Sequence, residues 1–564
     1  MSTPSTSVER SNDHPVSSRY KWTALSNTTI GVLMASVDSS IVIISLPYIL
    51  QSVLAHTPGG TAPVSSAIYA IATASSFSYV IWALLGYMLI TATLLLFFGR
   101  LADLKGRVKI YNLGFAVFTI GSLLTGLSAL IIPNSLITEG IQIIIFRIVQ
   151  AVGAAMLWSN SAAILTDAFP SNQRGMALGI NMVAGVGGGI LGLVLGGIIT
   201  SVASWRYIFF INVPIGIFGT IWAYTKLKEV STRKRGESLD VAGGLLLSGS
   251  IAMLLLGATF YTLGGMVTSS AAGVFYTVFH VYSFYSYVSF ALFPILLALF
   301  IVNEVYWAKY PLMKFSLFKR RMFTSGVIAS SLVAVARGGI MFLLVFYFEG
   351  VRGLSAFHAG LELIPMSLGF LLVGPISGII SDRIGYRSLT LAGVIISAIS
   401  VTFLAILPQS ANTLEVTGIL AMAGIGGGLF ASPNIASIMG SVEPEVRGVG
   451  AATNSTLINI TSMMALTVAF VFIGTTVNIS SFITLFIGTT KDLPATLVNS
   501  LAYQQQWITF MQAFHHVFEI FLVAAVIAII PSIIRPNLVE KRLDTELVIK
   551  PKTKFPATKT KDEK

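Results

Sequence analysis

Two charged residues stand inside otherwise apolar stretches in the first third of the sequence. Asp38 lies in Val37-Asp38-Ser-Ser-Ile-Val-Ile-Ile-Ser-Leu-Pro47, and Arg147 opens Arg147-Ile-Val-Gln150-Ala-Val-Gly153-Ala-Ala155. A charge surrounded by hydrocarbon is costly, so such residues face partners, cavities or ion pathways. Burial favours the neutral form of a carboxyl group, which makes Asp38 a candidate proton carrier. The competing reading is a structural pair with a cation, for which Arg147 is the candidate. Later in the chain Arg337 and Glu362 repeat the theme, the acid followed by Pro365. At a rise of about 1.5 Å per residue, Arg337 falls roughly 16 Å and Glu362 roughly 7 Å below the same boundary. They either pair or leave Glu362 as a second proton or cation-substrate site. Glu304 and Glu519 read as helix-end or lumen-facing structure. His515 and His516 are adjacent on a helix and diverge by about 100°, which argues against a shared metal site.

The elements that must hold these residues follow from composition. The chain has 564 residues, 54% hydrophobic and only 10% charged, with a mean hydropathy of +0.82. Soluble chains are about 25% charged, so the solvent here is lipid. The absence of cysteine excludes disulfides, thiolate metal sites and cysteine nucleophiles. A spanning helix uses about 20 apolar residues. Runs of that size fall at about 22–50, 68–98, 108–132, 137–166, 175–200, 207–225, 241–264, 287–306, 322–348, 358–380, 387–407, 415–440, 448–474 and 508–530. These fourteen runs predict an all-α polytopic membrane protein with both termini on one side.

Basic residues orient it. With the N-terminus inside, 30 Lys/Arg fall in cytoplasmic segments, among them Arg100 to Lys109, Arg174, Arg383, Arg387, Arg447 and a tail counted from Arg535. The opposite connections hold three, Arg206, Arg352 and Lys491. That asymmetry is the positive-inside pattern. It accounts for the net charge of +12 without nucleic acid. Residues 1–21 lack the apolar core and cleavage site of a leader and read as a cytoplasmic segment, and the lysine-rich tail reads as a disordered solubilising segment.

An internal repeat divides the chain. Gly99-Arg-Leu-Ala-Asp103-Leu-Lys-Gly106-Arg107 follows the second run, and Gly378-Ile-Ile-Ser-Asp382-Arg383-Ile-Gly385-Tyr-Arg387 follows the tenth, at an offset of 279. Arg174-Gly175 and Arg447-Gly448 recur at an offset of 273. Both copies begin on inward-running spans, so the repeats are parallel, with a binding site expected between them near the bilayer middle. The expected architecture is 6 + 2 + 6: residues 1–21, a six-helix half over 22–225, a two-helix insertion over 226–321, a second six-helix half over 322–530 and a basic tail over 531–564.

On these residues the sequence resembles the major facilitator superfamily, and within it the branch of 14-helix drug:proton antiporters. Gly99, Arg100, Asp103, Gly106 and Arg107 match the superfamily's loop between helices two and three. The resemblance implies that this loop latches the cytoplasmic ends of the halves and governs their rocking. Gly378, Asp382, Arg383, Gly385 and Arg387 are its second-half copy. The Asp38 and Arg147 segments are similar to the branch's first- and fourth-helix motifs, which implies a proton-coupling role; the fourth-helix match departs at Ala151. Gly188, Gly192, Gly196 and Gly197 resemble the antiporter glycine helix, with Leu193 where the family carries proline. Trp205-Arg206-Tyr-Ile-Phe209-Phe-Ile-Asn212-Val-Pro214-Ile-Gly216 matches the same branch and reads as an interfacial anchor.

No phosphate-binding loop of the Gly-x4-Gly-Lys-Ser/Thr type occurs, so the power source is an ion gradient rather than a nucleotide. The expected protein is not an enzyme, needs no cofactor and binds no metal. It is a monomer of the plasma membrane, in contact with lipid, that exports amphipathic or cationic small molecules in exchange for protons by alternating access. The alternatives are a transporter of a metabolite such as an amino acid, peptide or organic anion, and a non-transporting receptor or scaffold.

Overall fold

The computed structural model describes residues 18–57, 67–128, 130, 139–170, 173–230, 239–268, 275–443, 447–476 and 501–536. Among them are fourteen helices long and apolar enough to cross a membrane, and the described residues contain no strand. Spans one to six are Arg19–Ala55, Ser75–Lys105, Arg107–Gly126, Glu139–Ala168, Met176–Val202 and Tyr207–Lys226. Spans seven and eight are Val241–Thr262 and Ser283–Trp307. Spans nine to fourteen are Arg321–Val351, Ala356–Ser381, Tyr386–Ala405, Thr413–Gly440, Val449–Ile473 and Trp507–Ile534. Residues 18 and 536 lie on one side of this bundle, the termini side; the other is the far side.

The repeat is visible in the packing. Span one lies along span five, span two along span four and span three along span four; span nine lies along span thirteen, and spans ten and eleven along span twelve. Each half has a tight crossing at the same place. A Cβ on Gly114 of span three would stand 2.8 Å from the Met156 Cβ, and one on Gly153 of span four would strike the backbone of Phe118. Displaced by 279 on span eleven and 273 on span twelve, the same crossing is made by Gly393 against the Gly426 carbonyl at 2.6 Å and by Gly426 against Ser397. Small residues let helix backbones approach where hydrophobic burial drives nothing, because lipid is as apolar as the side chains. Spans seven and eight pack on each other, and span seven touches spans two and thirteen.

Apolar packing joins the halves from the bilayer middle to the far side. One cluster runs from Ile41, Leu46 and Val53 of span one through Phe346 of span nine to Ala356, Val416 and Phe514. On the termini side it continues along span two and the insertion, through Leu96, Leu247 and Phe300. The cores of the halves themselves are separate there: Ala24, Met34, Phe115 and Leu165 in the first, Phe323, Val327 and Ile438 in the second.

Span nine is not one helix. It runs Arg321–Gly338, resumes at Ile340–Phe346 and ends in a π-turn over Tyr347–Val351. The backbone at Gly338 is pressed against Ser462, and Gly339 against the Phe521 ring. Span five, without the family's proline, is an unbroken helix from Arg174 to Val202.

Candidate functional site

Asp38 and Arg147 meet. The carboxylate Oδ2 accepts from Arg147 Nη1 at 2.5 Å, and both side chains are sealed, at 0% and 1% exposure. Gln150 Nε2 donates to Asp38 Oδ1 at 2.8 Å and Asn212 Nδ2 at 2.9 Å. Ser122 Oγ accepts from both amides at 3.1 Å and donates to the Phe209 carbonyl at 2.9 Å. Arg147 Nε donates to the Ala83 carbonyl at 3.3 Å, and its guanidinium lies 4.0 Å from the centre of the Tyr87 ring. The sequence builds this cluster by close approach. Span four reaches span three where Gly121 meets the Gln150 backbone, and span five presses on span one where a Cβ on Gly192 would stand 2.5 Å from the Val37 carbonyl.

The cluster is incompletely satisfied. Arg147 Nη2, the Tyr87 hydroxyl and Asn212 Oδ1 are buried without a hydrogen-bond partner. Buried polar groups are nearly always paired, and an unpaired one marks strain or function. Protonating Asp38 would cancel the charge that holds Arg147, in a place where an uncompensated cation is expensive.

A second pair holds the far side. Glu139, at the start of span four and 2% exposed, accepts a short hydrogen bond from Arg206, one from Ser52 at 3.1 Å, and lies 2.9 Å from His56 Nδ1. Arg206, expected as an interfacial anchor, is thus also an internal ion-pair partner. Its readable signal was Glu139, the acid bordering an apolar run.

On the termini side Arg107 bridges two carboxylates, Asp103 at 2.9 Å and both oxygens of Asp167 at 2.8 Å. Glu229 accepts from the backbone amides of Arg107 and Val108 at 3.0 and 3.1 Å. Arg100 stacks on Tyr310, in the insertion just after span eight, at 5.5 Å. Gly106 and Gly385 both hold positive φ, 113° and 89°, so the two copies of the motif share their turn. Gly99 packs at ordinary distance on Ser159, and a Cβ on Gly378 would stand 2.5 Å from Ser432 Oγ. Arg383 and Arg387 are both exposed. The side chains of Asp382, Arg174 and Arg447 and the tail beyond residue 536 lie outside the described residues.

The glycine helix serves two contacts. Gly188, Gly192 and Gly196 face span one at Ser36, Ser40 and Ile44, whereas a Cβ on Gly197 would stand 2.6 Å from the backbone of Phe357, across the seam between halves.

Arg337 and Glu362 do not pair. Glu362 accepts a 3.4 Å hydrogen bond from Thr417. Arg337 lies 4.9 Å from the centre of the Phe370 ring and lines a cavity of about 80 Å³ with Ser330, Phe430 and Asn434. Arg535, counted above with the solvated tail, is instead 1% exposed and donates to Asn434 Oδ1. The fold carries the last turn of the chain's final span back against span twelve. Burial lowers its pKa to about 10. Glu304 accepts from the Met313 amide at 3.0 Å, His516 pairs with Glu519 at 3.1 Å, and His515 Nε2 bonds the Leu407 carbonyl at 2.8 Å. The described residues hold no group of three or more metal-ligating side chains.

Comparison with known proteins follows this geometry. The family model described as Major Facilitator Superfamily matches residues 28–466. The riboflavin transporter RibZ of Clostridioides difficile (strain 630) is 32% identical over 78% of this chain and 86% of its own length. Multidrug resistance protein 3 of Bacillus subtilis (strain 168) is 29% identical over 76% and 75%. Among solved structures, a bacterial homologue of the human lysosomal transporter Spinster, inward-facing and unoccupied, superposes with a TM-score of 0.59 at 16% identity, covering 92% of this chain and 97% of that one. The D-xylose-proton symporter gives 0.53 at 13% identity, covering 90% and 97%.

Proposed function

The chain belongs to the major facilitator superfamily and is a multi-pass membrane transporter, and on that premise we propose that it exports amphipathic small molecules in exchange for protons. The observation that carries the reading is the sealed Asp38–Arg147 pair with the unsatisfied polar atoms at Arg147, Tyr87 and Asn212. Asp38 is the proton acceptor. Its neutralisation frees Arg147 to seek new partners, and the repacking is passed to span five through the glycines at 188, 192 and 196 and to the second half at Gly197. The separate termini-side cores and the joined far-side core fit a state open toward the termini side. The Arg107 bridge, with Asp103 and Asp167, fits the cytoplasmic latch of the first half. The termini side is then cytoplasmic, the membrane is the plasma membrane, the working unit is a monomer, and the proton gradient is the only power source. Export agrees with the names of several relatives, including the tetracenomycin C resistance and export protein of Streptomyces glaucescens, 28% identical over 67% of this chain and 62% of its own length.

The relative named a riboflavin transporter favours a second reading, transport of a metabolite. The deciding experiment is the internal pH of proteoliposomes under an imposed proton gradient, with ethidium, a neutral drug and riboflavin offered in turn. Export of drugs requires ethidium or the neutral drug to collapse the gradient through wild-type protein and not through Asp38→Asn. Collapse by riboflavin alone transfers the assignment to the metabolite, and equal collapse by the mutant overturns the role of Asp38.

A further inference from the structure

We propose that the second half carries a subsite for an anionic group, so that the substrate is an amphipath bearing a carboxylate, sulfonate or phosphate; the inference rests on the transport reading above. Arg337 stands midway along span nine, at the end of the helix Arg321–Gly338 and beside the break at Gly339. No carboxylate and no hydrogen-bond acceptor among the described residues reaches its guanidinium; its described contact is the face of Phe370. Arg535, behind Asn434, is equally without an acid, and its Nε and Nη1 are buried and unpartnered. Asn434 links the two: its Oδ1 accepts from Arg535, its Nδ2 donates to Ser330 at 2.5 Å, and it lines the Arg337 cavity.

Two guanidiniums within one membrane-embedded bundle, with no acid among the described residues against either, call for a counter-charge. The cavity lined by Arg337 and Asn434 has room: about 80 Å³ accepts a carboxylate or a tetrahedral oxyanion, and other walls, Ala334, Phe430 and Ile458, suit the apolar part of the same molecule. Planar guanidinium groups are the side chains best matched to such anions. Spans nine and twelve, which supply Arg337 and Asn434, are the repeat counterparts of spans one and four, which supply Asp38 and Arg147. Of the sequence-based expectation, an amphipathic or cationic substrate, the amphipath is kept and the sign of the charge is changed.

Fluorescein, an anion, and rhodamine 123, a cation on the same ring system, are the probes. Their binding to the full chain in nanodiscs is read by fluorescence polarisation, and their gradient-driven movement in proteoliposomes is read in parallel. Wild-type protein is expected to bind fluorescein about tenfold or more tighter than rhodamine 123, as one charge-assisted contact allows. Arg337→Met should remove that preference, and Arg337→Lys should keep part of it. Asn434→Asp, which supplies the missing carboxylate from within, should lose fluorescein binding and unfold at a higher temperature than wild type. Rhodamine 123 bound as tightly as fluorescein, no measurable fluorescein binding, or a folded Arg337→Met variant with unaltered preference overturns the subsite. Gradient-driven movement of either dye without charge preference defeats the subsite alone. Anion preference in binding without gradient-driven movement defeats the transport reading alone.

Discussion

The crossing of spans three and four and the crossing of spans eleven and twelve are built alike and filled differently. Gly114, Gly153 and Phe118 in the first correspond to Gly393, Gly426 and Ser397 in the second, by the same two offsets that relate the loop motifs. The polar residues around the first crossing do not follow. Arg147, Gln150 and Ser122 fall, by those offsets, on Leu420, Ala423 and Val401, all buried and apolar. One crossing is a joint with an ion pair beside it; the other is a joint alone. Backbone approach and side-chain chemistry are thus separable, since the first depends on missing Cβ atoms and the second on what the neighbouring turns present.

The sharpest way to break this comparison is through the ion pair. Arg147→Met leaves Asp38 charged and buried, and removing one member of such a pair costs about 3–5 kcal/mol. The double variant Asp38→Leu/Arg147→Met should recover most of that loss in thermal unfolding while transporting nothing against a gradient. A double variant as unstable as the single one would mean that the cluster holds the fold rather than the proton. Next in size are the joints themselves. Gly153→Ala and Gly426→Ala should each destabilise by about 1–3 kcal/mol, the range for overpacking. A Gly426 variant with no loss of unfolding temperature would end the equivalence of the two crossings. Arg337→Met should carry the opposite sign, from no change to a gain of about 1 kcal/mol, because it removes a cation with no acid beside it. Smallest in stability is Asp167→Asn, whose ion pair with Arg107 leaves both side chains about a quarter exposed. The cost is about 0–1 kcal/mol. The rate of substrate-gated proton movement should still fall, and an unaltered rate would remove the latch from the mechanism.

Much of the first half was legible. Asp38 and Arg147 stand out because each is a charge within an apolar run, and one buried charge requires another. Gln150 and Asn212 lay within the quoted segments, but their aim at Asp38 depends on helix rotation, which spacing along the chain does not determine. The same ignorance hid the pairing of Glu139 with Arg206 and of Asn434 with Arg535, partners 67 and 101 residues apart. Whether Arg337 and Glu362 pair is open in the sequence for a further reason. The sequence offers an unbroken span nine, whereas the break at Gly339 and the π-turn at Tyr347–Val351 alter both depth and rotation beyond residue 338.

The joined far-side core has an electrical consequence. Hydrocarbon insulates, so where the halves part on the termini side and meet on the far side, the membrane voltage falls mainly across the joined layer. Asp38 sits at its edge, between Ala35 of the first-half core and Ile41 of the shared one. A proton held there is at nearly the potential of the termini side. On the proposed exchange, closing the halves there and parting them on the far side would move the drop past the carboxylate, so that each proton would cross the field, worth about 2.3 kcal/mol per 100 mV, although the residue proposed to carry it hardly moves.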